Sequence, residues 1–225
     1  MQRKFWTILS VIFLLLVLIL AAIFQFEQTA AFTLLASILT IVPFFLNFEK
    51  EKKKPRDLMP IVILSAMAIA GRLLFTPLPN FKPVTAIVII TGIAFGAESG
   101  FMTGALTALI SNLFFGQGPW TAWQMLAWGL IGFFAGILAE KNLFNKTWKI
   151  LLYGSIATLL YGLLMDTWTI ISYVRPLNLA SAMTSYSLGV IFNLSHILST
   201  FIFLLPIQKL WLPQLQRIKI KFGLN

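Results

Sequence analysis

The chain has 225 residues, 59% of them hydrophobic and 11% charged, where soluble domains carry about 25% charged residues. That composition excludes an ordinary soluble domain. With no cysteine and a single histidine, His196, it also excludes disulfides, thiolate metal sites and multi-histidine zinc or iron centres within one chain. The formal charge of +10 sits at the ends of apolar runs, which is the positive-inside bias of membrane proteins and not the basic face of a nucleic-acid binder.

Eight apolar runs follow one another. The first, Phe5 to Phe24, follows Arg3 and Lys4 and resembles a secretory signal, but its apolar length exceeds the about 7 to 15 residues of a signal core, so it reads as an uncleaved span. The second runs from Ala30 to Phe48 and ends at the charge cluster Glu49 to Asp57, EKEKKKPRD, a solvated cytoplasmic loop on the positive-inside rule. Six more spans are expected at about Leu58 to Phe75, Val84 to Gly96, Gly100 to Phe115, Ala122 to Ala139, Ile150 to Ser172 and Ser185 to Leu205. Val84 to Gly96 is short for a span of about 20 residues and is expected to be partly buried by its neighbours. The expected fold is therefore an all-α integral membrane protein, a polytopic bundle with a six-helix core (residues 58–225) preceded by two N-terminal transmembrane helices (residues 1–57).

With both termini cytoplasmic, fourteen Lys and Arg residues fall inside, from Arg3 to Lys221, and three outside: Arg72, Lys82 and Arg175. This orientation in the cell membrane places the turn Ser111 to Leu130, SNLFFGQGPWTAWQMLAWGL, on the outer face. Gly116, Gly118 and Pro119 break the helical pattern there. Trp120, Trp123 and Trp128 suit an interfacial aromatic belt; for Trp120, Trp123 and Gln124 a pocket rim is the preferred reading, while Trp128 lies deeper and is left to the belt or to packing. Gly and Ala recur at four-residue spacing at Ala66 and Ala70, at Gly100, Gly104 and Ala108, and at Gly132 and Gly136; such faces let membrane helices approach closely, within one bundle or against another subunit.

Polar groups in the apolar runs need a reason to be there, because a charge in hydrocarbon costs about 2.5 to 3.5 kcal/mol on insertion scales. Arg72 and Asp166 fall near the outer side and are candidates for a charge pair. Tyr161, Trp168, Tyr173 and Arg175 extend the same end, while Tyr186, Asn193 and His196 descend the last span. Asn193 and His196 share a helix face at a spacing of three. Helix–helix hydrogen bonds explain each residue singly; together they outline an outward-facing pocket with aromatic walls and few polar groups. No metal site or catalytic group is assigned. A metalloprotease would need two histidines with a glutamate, no GxSxG elbow surrounds any serine such as Ser111, and no GxxxxGK[ST] run is present, so the chain does not power transport by itself.

The six spans from Leu58 to Leu205, the helix bearing Ala66-x-x-x-Ala70 and the GQGPWTAWQM turn resemble the substrate-binding S component of an energy-coupling-factor (ECF) vitamin transporter, an ABC-type importer. The two N-terminal spans are additional to the six-helix pattern. The resemblance implies capture of a vitamin from outside, delivery by bodily reorientation in the membrane, and association with a membrane coupling subunit and two ATPases that use ATP, with no intrinsic cofactor. By position, Ala66 and Ala70 would meet the coupling subunit, and the loop Thr76 to Pro83, TPLPNFKP, with its one charge Lys82, would be a lid. The resemblance is greatest to members assigned to cobalamin. Gln117, Gln124, Asn178, Asn193, Tyr173 and Tyr186 would then bond the amides of a corrinoid, with His196 a candidate cobalt ligand. A smaller compound, pantothenate or a queuosine precursor, is the alternative. Outside transport, a membrane assembly protein that docks a partner through its small-residue faces, or an intramembrane hydrolase using His196, are the competing classes.

Overall fold

The computed structural model describes residues 12, 16, 17, 19, 20, 29–50 and 54–224. The expected first span therefore lies almost wholly outside the described residues. Seven helices are described: α1 (Thr29–Lys50), α2 (Pro55–Leu74), α3 (Val84–Phe95), α4 (Ala97–Phe115), α5 (Trp120–Glu140), α6 (Thr147–Tyr173) and α7 (Leu179–Phe222). No strand is present among the described residues. Four of the seven, α2, α5, α6 and α7, are long and apolar enough to cross a membrane, and α3 is a shorter apolar helix. The molecule is a polytopic helical membrane protein.

Local sequence sets the helix ends. Pro55 opens α2 at a position where its missing N–H costs nothing, and Asp57 accepts the Lys54 backbone N–H at 3.0 Å. Gly96 (φ 95°) and Gly116 (φ 96°) hold the turns after α3 and α4 in backbone conformations that L side chains rarely adopt. At the start of α7, Asn178 Oδ1 accepts the Ser181 N–H at 2.9 Å and Ser181 Oγ accepts the Asn178 N–H at 3.1 Å. This reciprocal cap occupies Asn178, which the sequence had offered as a ligand contact.

α3 is the axis of the bundle. Its twelve residues are all buried except Ile93, and at 1.5 Å per residue it is about 18 Å long, short of a hydrocarbon core of about 30 Å. α4 and α5 close on it through glycine: a Cβ on Gly100 would come within 2.5 Å of the Gly132 carbonyl oxygen, and one on Gly92 within 2.1 Å of the same atom. The small-residue faces at Gly100, Gly104, Gly132 and Gly136 are thus internal packing. Ala66 and Ala70 differ, because both are exposed on α2.

α1 lies against α4, α5 and α6. Phe44 stacks on Phe101 with centroids 3.8 Å apart and meets Phe133 edge-on at 5.3 Å.

The last helix departs from expectation. α7 runs to Phe222, through Pro206 and Pro213, where the apolar run predicted an end near Leu205. Proline removes one donor and crowds one turn, and here that cost is offset by packing. Trp211, Leu212 and Leu215 rest against the core cluster that includes Leu64 of α2 and Phe95 of α3. The 44 residues span about 66 Å, so the basic C-terminal stretch projects beyond a bilayer core.

Candidate functional site

Polar side chains converge at the end of the bundle that holds the C-terminus of α2, the turn between α4 and α5, and the loop from Phe75 to Pro83; in the orientation the charges predict, this is the outer end. Arg72, 8% exposed, donates from Nη1 to Ser111 Oγ and, at 2.8 Å, to Asn112 Oδ1. Its guanidinium also lies 4.6 Å from the Phe115 ring centre and 5.1 Å from that of Trp128. Asn112 spends its amide hydrogens on Thr121 Oγ1 (3.0 Å) and Gln124 Oε1 (2.8 Å), and Thr121 donates to Gln117 Oε1 (2.8 Å). Each side chain in this chain bonds the next, leaving the Nε–Nη2 edge of Arg72 without a partner among the described residues.

A second branch descends from it. Trp128 Nε1 donates to Thr85 Oγ1 at 3.2 Å, and the same hydroxyl lies 3.0 Å from His196 Nε2. An indole only donates, so Thr85 accepts from Trp128, while the direction of its bond with His196 Nε2 follows the imidazole tautomer. Tyr161 stacks on Trp128 at 5.1 Å and meets His196 edge-on at 5.1 Å. α2, α3, α4, α5, α6 and α7 each supply at least one of these residues.

The loop closes over this end against α7. Asn80 Nδ2 donates to the Phe192 carbonyl (3.3 Å), Ser195 Oγ to that of Pro79 (3.0 Å) and Ser199 Oγ to that of Lys82 (2.9 Å). Phe75 and Phe81 both meet Phe203, at 5.0 and 5.4 Å. Lys82 is half-buried and donates to the Leu78 carbonyl at 3.0 Å; burial, then the charge of Arg72, hold its pKa below the usual lysine value.

Of the residues singled out from the sequence, Arg72, Lys82, Gln124 and His196 meet in this assembly. Asp166 does not pair with Arg72: it accepts from Asn193 Nδ2 at 2.7 Å across the α6–α7 seam. Arg72 reaches α4 instead, because α2 packs there and not on α6. Tyr186 bonds Thr167 at 2.6 Å on the same seam. Trp123 is fully buried, stacked 6.3 Å from Trp168, so it is a core residue and not a rim. Trp120 is 36% exposed and covers Gly118 at the surface. Tyr173 is exposed and edges onto Trp168. Arg175 donates to the carbonyls of Ile171 (3.1 Å) and Val174 (2.8 Å), which satisfies the C-terminal carbonyls of α6. His196 Nε2 is engaged by Thr85, which removes that nitrogen as a cobalt ligand in this conformation.

Sequence reasoning passed over Asn112, Thr85 and Thr121, and left Trp128 to the aromatic belt or to packing. Asn112 was detectable as a lone amide in an apolar run; Thr85 was not, since threonine is unremarkable in a membrane helix.

A multi-pass helical bundle with a converged polar cluster under a loop at one end defines a polytopic helical membrane protein. The family model described as "ECF-type riboflavin transporter, S component" matches residues 52–211, and the chain belongs to that family. It is a family of transporter components and not of enzymes. No curated protein and no solved structure matches the chain.

Proposed function

We propose that the chain is the substrate-capturing subunit of an ECF importer in the cell membrane, with both termini cytoplasmic, and that its substrate is a flavin-sized vitamin in preference to a corrinoid. The observation that carries this is the junction at Asn112, where one side chain links Arg72 of α2 to Thr121 and Gln124 of α5 beside the Trp128 and Tyr161 rings. A flat heterocycle with carbonyl acceptors and a ring N–H needs such amides around aromatic faces. The family description names riboflavin. A corrinoid would gain from an axial imidazole, and His196 Nε2 is committed to Thr85.

The loop Thr76 to Pro83 acts as the lid, since it seals the site through few and breakable bonds to α7. Ala66 and Ala70 on the exposed face of α2 meet the membrane coupling subunit. Beside this face, Met59, Ile63 and Met67 line an apolar groove of about 690 Å³ shared with Trp211 and Leu215 of α7. ATPases attached to that subunit supply the energy.

The test is titration of the purified chain with riboflavin, read by quenching of flavin fluorescence, and with cobalamin, read by retained corrin absorbance after growth in excess vitamin. Flavin quenching with a colourless preparation is expected. Corrin absorbance would overturn the choice of substrate, and failure of flavins, cobalamin and pantothenate all to bind at micromolar concentration would overturn the transport role.

A further inference from the structure

Arg72 is more than nine-tenths buried, yet every partner it has among the described residues is neutral: Ser111, Asn112, and the faces of Phe115 and Trp128. Both of its hydrogen bonds leave from Nη1. The Nε–Nη2 edge, which presents two parallel donors to a carboxylate or phosphate, bonds nothing within the described chain. Lys82 adds a second cation from the loop, held by one backbone carbonyl; its neighbour Pro83 packs against Gly71, the residue before Arg72.

No carboxylate answers these charges among the described residues. Glu49, Asp57, Glu98 and Glu140 lie at the opposite ends of their helices. Asp166 is committed to Asn193. Taking a guanidinium out of water without a counter-charge is costly, and an ionisable group inside the membrane points to a function by default. The neutral partners hold the guanidinium in place without neutralising it.

We propose that Arg72 and Lys82 form an anion subsite, in which the Nε–Nη2 edge of Arg72 takes a carboxylate or phosphate group of the substrate and Lys82 closes over it from the lid. This rests on the reading of the outer end as the substrate site and makes an anionic form of the ligand preferred over its neutral form. Neutral riboflavin would leave the subsite unused, whereas its 5′-phosphate, or a carboxylate such as pantothenate, would fill it.

The experiment compares two pairs that differ in charge and little else, riboflavin with riboflavin 5′-phosphate and pantothenol with pantothenate, by calorimetric titration of the purified full chain. In whichever pair binds, the anionic member is expected to bind about 10- to 100-fold more tightly, as for a charge-assisted contact; the pair that shows it tells phosphate from carboxylate. Arg72→Gln is expected to erase the preference, read as the ratio of the two members' affinities measured on the same variant. Should Arg72→Gln not fold, Lys82→Gln on the exposed loop carries the same test with a smaller loss, of roughly 3- to 10-fold. Equal binding of both members of a pair, or a preference that survives the substitutions, overturns the subsite while leaving the vitamin-capture function standing. Binding of neither pair removes the subsite together with that function.

Discussion

Asn112 makes three of the four hydrogen bonds its amide allows: Oδ1 accepts from Arg72 while Nδ2 donates to Thr121 and Gln124. Asn112→Leu keeps the branched shape and leaves Arg72, Thr121 and the half-buried Gln124 each short of a partner, at about 1 to 3 kcal/mol for each buried one. Because α4 and α5 are also locked by glycine contacts, the variant is expected to fold with a melting temperature lowered by several degrees and a weakened affinity for ligand, both measurable on the purified protein. Thr85→Val tests the deeper branch. It strips the shared partner from Trp128 Nε1 and His196 Nε2, and is expected to lower stability by about 1 to 3 kcal/mol for each group stranded, with a change in tryptophan emission as Trp128 loses its hydrogen bond. An unchanged spectrum would mean that the indole is not engaged by Thr85 in solution.

At the scale of elements, the apolar runs marked helices α1 to α6 to within about three residues, because a helix in lipid must satisfy its own backbone and its length follows the bilayer. That constraint stops at the membrane surface, which is why α7 was misjudged: past Leu205 its continuation depends on Trp211 and Leu215 finding the core, a tertiary matter that Pro206 and Pro213 conceal in the sequence. The site was legible to the same extent. Arg72, Gln124 and His196 stood out as polar groups in apolar surroundings, but whether Arg72 meets Asp166 or Asn112 is set by which helices neighbour α2, and no local pattern encodes that. The exposed Ala66 and Ala70 allow a prediction specific to α2. If this face docks the coupling subunit, the double variant Ala66→Leu, Ala70→Leu blocks close helix approach and is expected to abolish uptake and co-purification with that subunit while ligand affinity of the isolated chain stays within about twofold, since neither residue reaches the outer network. Loss of affinity in the isolated chain would place the effect in the bundle and not at the interface.

For the molecule as a whole the question is what moves. α3 is enclosed on all sides, and the Gly92, Gly100 and Gly132 contacts with backbone atoms leave α3, α4 and α5 no room to slide; packed interiors of this density shift between discrete arrangements and do not deform continuously. The loop over the site is instead held to α7 by separate side-chain hydrogen bonds. If the chain delivers its substrate by reorientation, the core must turn as one body, and α1, stacked through Phe44 on Phe101 of α4, would turn with it. The absence of cysteine allows a direct test, because Phe44→Cys with Phe101→Cys introduces the only thiols in the chain. Bridging them with a short bis-maleimide is expected to leave vesicle uptake, driven by the coupling module, equal to that of the same unbridged variant. If the N-terminal helix instead parts from the core during each cycle, bridging abolishes uptake while ligand binding persists, and the rigid unit of transport excludes α1.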